Sequence, residues 1–216
     1  AGQLTFGGTG STYTGQLSVL DGTFSVASIN NNSANGVFGN STLPIVLGSS
    51  GKTATLQYPT ASNASTNKEI ILTSGGVGVF DVTGSTSAGL TLTGNISGSG
   101  SLVKSGQGVL TYSGNNVYSG GTTLYGGINV VNSDTAFGTG TVALSGGSLR
   151  AQQTASNRTL TNNISISADT IFNNVANEKT LTLSGPVTLF GGTRTLNVAI
   201  GTTVATESLT ISGPIG

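Results

Sequence analysis

The residues best able to do chemistry in this chain are seven carboxylates: Asp21, Glu69, Asp81, Asp134, Asp169, Glu178 and Glu207. Cleaving a polysaccharide needs two such groups within about 10 Å of each other, one to give a proton and one to attack or activate water. Here the acids are scattered singly, and Lys68-Glu69 and Glu178-Lys179 set opposite charges side by side, as solvated corners do. The chain contains neither His nor Cys. Ser-His-Asp and Cys-His nucleophilic catalysis therefore have no parts to work with, and the usual ligands of zinc, haem and iron–sulfur centres are missing. The expectation is a protein that is not an enzyme, with no cofactor and no metal site.

Four weaker patterns remain. Gly75-Gly76-Val77-Gly78-Val79-Phe80-Asp81 approaches the Gly-Gly-x-Gly-x-Asp calcium repeat, but the Asp comes one residue late and no tandem copy follows. A turn leading into a strand is the plainer reading. Gly98-Ser99-Gly100 lacks the helix and the Gly-Lys-Ser of a phosphate loop. Tyr112, Tyr118 and Tyr125 fall within one stretch, echoed by Tyr13. Such a row either stacks on sugar rings from an exposed face or covers coil edges and fills the interior as an aromatic ladder; the interior placement is the favoured expectation. Thr-x-Thr runs at Thr53, Thr91 and Thr193 suggest an ice-binding face, yet their copies stand about 90 residues apart, too far to be neighbours on consecutive coils.

The elements that must position these residues are strands. Net charge is zero and only 6% of residues are charged, so no field draws in nucleic acid or anionic lipid. Gly is abundant at 35 residues, but hydrophobic residues still reach 35%, and they alternate with polar ones, as in Leu90-Thr91-Leu92 and Leu181-Thr182-Leu183. Alternation buries one side of a strand and wets the other. Clusters of Gly, Asn and Ser follow each run and mark turns. No run has the roughly 18 apolar residues that a membrane-spanning helix needs, and direct membrane insertion is not expected. The class is all-β, with frequent tight corners.

Self-similarity organises the whole chain. Gly2-Gln3-Leu4-Thr5-Phe6 matches Gly108-Val109-Leu110-Thr111-Tyr112, and Tyr13 falls near Tyr118. Further on, Val37-Phe38-Gly39 matches Ala136-Phe137-Gly138, Thr55-Leu56-Gln57 matches Ser148-Leu149-Arg150, and Leu90 to Ile96 matches Leu181 to Val187. One segment spanning 1–216 is expected, built from tandem units of about 1–98 and 99–190 with a partial third unit over 191–216. Neither end reads as a polar cap, so the segment is expected to be cut from a longer array.

The run Gly98-Ser99-Gly100-Ser101-Leu102-Val103-Lys104-Ser105-Gly106-Gln107-Gly108-Val109-Leu110-Thr111-Tyr112-Ser113-Gly114, continuing through Tyr118-Ser119-Gly120-Gly121-Thr122-Thr123, resembles the autotransporter-associated β-strand repeat. That family forms passenger domains of bacterial autotransporter-like surface proteins. The matching positions are Leu102, Lys104, Gly106, Gly108, Leu110, Gly114, Tyr118, Gly120, Gly121 and Thr122, while the first copy departs from the motif at Gly15-Gln16-Leu17-Ser18. The resemblance implies a right-handed parallel β-helix, exported to the outer surface of a Gram-negative-type cell, and no particular ligand. Coils of 20–25 residues would number nine or ten, in a rod about 45 Å long. The expected role is a structural or adhesive scaffold. Its partners would be neighbouring repeats of the same chain or other copies, and a surface glycan or protein. Alternatives are a filament of coils stacked head to tail and a carbohydrate-binding adhesin carried by a tyrosine face.

Overall fold

The computed structural model describes residues 1–153, 156–172, 179–198 and 209–216. Among them there is no helix, and every strand pairing is parallel. The chain winds as a parallel β-solenoid with three faces. The first carries nine strands: Gln3–Phe6, Gly22–Val26, Thr53–Tyr58, Val77–Val82, Ser101–Ser105, Thr122–Leu124, Val142–Leu144, Ile164–Ile166 and Val187–Leu189. The second carries seven, from Ala64–Thr66 through Gly89–Leu92, Val109–Tyr112, Ile128–Val131 and Ser148–Ala151 to Thr170–Phe172 and Leu196–Val198.

The third face comes in two blocks. Ser18–Val19, Ile45–Leu47, Ile70–Leu72 and Ile96–Gly98 form one, and Arg158–Leu160, Leu181–Leu183 and Leu209–Ile211 the other. Between them two coils pass without regular strands, yet the backbone ladder continues there, with Val117 N–H donating to Ile96 O and Thr139 N–H to Tyr118 O.

The nine strands of the first face enclose about eight turns, or roughly 38 Å at the usual ~4.8 Å strand spacing. Fewer coils form than the expected nine or ten because the coils are uneven. Leu102, Thr122 and Val142 stack twenty residues apart, whereas Thr23 meets Thr55 only after a long excursion through Asn30 and Phe38.

Stacking in register turns sequence alternation into continuous interior columns. One runs Leu4, Phe24, Leu56, Phe80, Lys104, Leu124, Leu144, Ile166, Leu189 along the whole first face. A second runs Gly22, Ala54, Gly78, Leu102, Thr122, Val142, Ile164, Val187 beside it. These columns and their counterparts on the other faces make one core.

The internal repeat takes a form that the alignment alone does not reveal. Leu4 lies on the first face and its counterpart Leu110 on the second; Leu90 lies on the second and Leu181 on the third; Ile96 lies on the third and Val187 on the first. Each copy is therefore displaced by one face around the rod relative to its partner. Leu209–Ile211 sits directly on Leu181–Leu183, one coil further on. The threonines also fall into register more often than their spacing implied. Thr91 stacks on Thr111, Thr23 on Thr55, and Thr159, Thr182 and Thr210 on one another.

Column residues should dominate stability. Leu102→Ala, which empties a fully buried position, is expected to cost about 2–5 kcal/mol, seen as a lower urea midpoint. Thr123→Ala, on the outer side of the neighbouring coil, should stay within about 0.5 kcal/mol.

Candidate functional site

The motif positions converge on the interior of two coils. Leu102 and Leu110 fill apolar columns, and Thr122 takes the next rung after Leu102. Lys104 occupies an inward slot between Phe80 and Leu124, with no exposed surface. Its alternation with Leu102 across the outward-facing Val103 put it there. Its ammonium curls to the corner and donates to the carbonyls of Ser105 at 2.6 Å and Gly106 at 2.8 Å. A buried cation survives because those carbonyls, which the turn leaves without a strand partner, solvate it.

The motif glycines permit this close approach. At Gly106, φ is +74° and a Cβ would lie 2.4 Å from the Val82 carbonyl oxygen. At Gly114 a Cβ would lie 2.3 Å from the Gly94 carbonyl oxygen of the coil before. Any side chain there would push the coils apart. Gly108 and Gly120 are crowded in the same way by Val82 and Gly100, and Gly121 adopts a positive φ.

The tyrosines divide between inside and outside. Tyr112 and Tyr118 are wholly buried, so neither can stack on a sugar. Tyr112 packs edge-on against Phe137 at 5.0 Å and donates to Asn129 Oδ1 at 3.2 Å. Tyr118 shares a hydrogen bond with the Thr122 hydroxyl. Tyr125 is 60% exposed and Tyr13 39%, with the Tyr13 hydroxyl donating to the Val37 carbonyl. No common exposed face unites the four.

Other polar groups inside the rod gave less warning. Asn129 is buried in the second-face column between Leu110 and Leu149, and its amide donates to the Ser148 carbonyl. Lys68, read above as a solvated corner, is buried and donates through Nζ to the Ser41 carbonyl, while Glu69 points outward. The corner turns the lysine under the preceding coil, where an unpaired carbonyl receives it. Of the other charged pair, Lys179 is exposed and Glu178 lies outside the described residues, as does Glu207.

Asparagine does further work at the corners. Asn95 Oδ1 accepts the Asn115 N–H, Asn67 Oδ1 the Asn32 N–H and Asn157 Oδ1 the Thr180 N–H, so side chains staple each coil to the next. Asn116 spans three coils, accepting from Ile96 N–H and donating to the Ala136 carbonyl. The calcium-like run forms a turn at Gly75 and then the strand Val77–Val82. Asp81 there accepts from Gln57 and Ser105.

No family model, curated protein or solved structure matches the chain.

Burial drives the Lys104 ammonium down to about 8, opposed in part by the Asp81 carboxylate. Burial also lowers Lys68 and raises the Tyr112 and Tyr118 phenols. Between pH 8 and 10 the unfolded Lys104 keeps a proton that the folded one has lost, so stability rises with pH by about 2 kcal/mol. Above pH 10 the unfolded tyrosines ionise while the buried pair stays protonated, and stability falls again. Urea midpoints from pH 7 to 11 should trace this maximum. Lys104→Met should flatten the rising limb and leave the falling one.

Proposed function

We propose that this chain is a structural segment of an extracellular scaffold, a passenger-type solenoid projecting from the outer surface of a Gram-negative-type cell. The observation that carries the reading is the unbroken interior column from Leu4 to Leu189, clad by a backbone ladder on three faces. Such a rod resists bending because each coil is held by neighbours on both sides. It contributes length and stiffness without chemistry.

The motif around Leu102 to Thr122 supports membership of the autotransporter-associated repeat family. Every matched residue fills the interior or a corner, as expected of a sequence selected for winding. The sparse charge supports a surface solvated by hydroxyls and amides rather than by ions. Leu4 on the first coil is 61% exposed, whereas Phe24, next in its column, is sealed, so this face suits contact with another copy of the chain.

Immunogold electron microscopy of cells making the full-length protein, with antibody raised against this segment, tests the placement. Label standing off the outer membrane is the expected outcome, and label confined to the cytoplasm would overturn it. Sedimentation of the isolated segment reports axial association, which Leu4→Asp should abolish where it occurs.

A further inference from the structure

The outer side of the second face is not uniformly flat. A trough of about 570 Å³ runs along it. One wall is the connection over 83–88, braced by the Ser85 and Ser87 hydroxyls at 2.9 Å and by the Gly89 N–H donating to Asn63 Oδ1 at 3.0 Å. The floor is built from outward residues in register: Thr91, Thr111 and Val130 in one row, Val109 and Ile128 in the next. Thr111 is only 9% exposed although it faces outward, which places it at the bottom of a real depression.

Two features suit this trough to a ligand. The first is open hydrogen-bonding capacity. The side chains of Thr86, Thr91, Thr111 and Gln152, all lining it, make no hydrogen bond among the described residues. By contrast most polar side chains of the corner pocket around Arg158 are already engaged with one another, Arg158 Nη2 donating to Asn132, Asn132 to Ser113 and Ser133 to Asn115. The second is its charge. Among the described residues no carboxylate lines the trough, and Arg150, the one ionisable side chain there, already has a partner within the protein.

A floor of β-branched methyl groups beside unpaired hydroxyls and an amide suits a ligand with both C–H faces and hydroxyl edges and no formal charge. The rows follow the rod axis over four coils, about 15 Å at the usual strand spacing, so an extended ligand fits better than a compact one. An extended peptide would find no free backbone edge, because the strands under the trough are paired on both sides. We propose that this trough binds a stretch of uncharged oligosaccharide laid along the rod. The inference stands apart from the scaffold reading and gives one face of the rod a recognition role.

Titration with short xylan, mannan, β-glucan and chitin oligosaccharides, followed by the methyl resonances of Val109, Ile128 and Val130, tests it. At least one of these series should produce saturable shifts there. Thr91→Tyr, which fills the trough, and Gln152→Ala, which removes an open amide at its rim, should each weaken binding by about tenfold or more. Thr159→Tyr, on the outer side of the third face, should leave it unchanged. Absence of shifts with every uncharged series would overturn the proposal, as would saturation only by polygalacturonate oligomers or by a peptide. So would binding that survives both trough variants. A failed titration leaves the scaffold reading, judged by microscopy, where it stood.

Discussion

Everything in this molecule depends on coils stacking in parallel, residue over residue, at the spacing of a β-ladder. That spacing fixes what each position can hold, because a side chain inside the rod must fit against the residues of the coils before and after it. Leu56, Phe80, Leu124 and Leu144 satisfy the requirement by being alike in kind. Gly78 satisfies it by being absent: a Cβ there would come within 2.5 Å of the Leu72 side chain. The corners meet the same constraint in hydrogen bonds. A turn leaves amides and carbonyls unpaired, and a buried group of that kind costs roughly as much as a lost hydrogen bond. Asn30 accepts from the Phe38 N–H and donates to the carbonyls of Ala34 and Gly39, so one carboxamide closes the longest excursion of the chain.

The displacement of the repeat by one face follows from how length is counted on a solenoid. Pairing needs each strand to fall on a face, but nothing requires a sequence unit to contain a whole number of coils. A copy that ends one face late still presents Leu-Thr-Leu to the core, because all three faces demand the same alternation of inward apolar and outward polar residues. Leu90–Leu92 and Leu181–Leu183 thus serve on different faces with the same words. The faces are interchangeable for packing, and their outsides are correspondingly free to diverge. The trough on the second face and the outward row Thr23, Thr55, Val79, Val103, Thr123 on the first show that divergence.

The all-β class and the parallel winding were legible from alternation and from the density of turn residues, because both are local consequences of the ladder. Coil number was less legible, since the excursion between Gly22–Val26 and Ile45–Leu47 adds residues without adding a turn. Register was least legible. Thr91 and Thr111 lie twenty residues apart and touch, yet the self-similarity of the chain pointed to partners about ninety residues away. Similarity finds residues with the same job, whereas stacking joins residues one circuit apart, and unequal coils hide the circuit. Lys68 was misread for a related reason: a charged pair at a corner looks solvated until the coil beneath supplies a carbonyl.

Lys104 shows why the most distinctive residues in the sequence need not be the ones that meet a partner. A lysine in an apolar column loses hydration, and only the two corner carbonyls replace it. Those carbonyls are in reach because Gly106 turns with positive φ, and because Gly127 on the next coil leaves space 2.9 Å from Nζ where a Cβ would stand. Lysine and glycines therefore specify one another, and the cluster extends through Tyr112 and Asn129 by the same logic of mutual satisfaction. A motif of this kind fixes where the chain turns and which coil follows. Its hydrogen bonds are spent inside, which directs any search for recognition to the outward residues that the motif leaves free to vary.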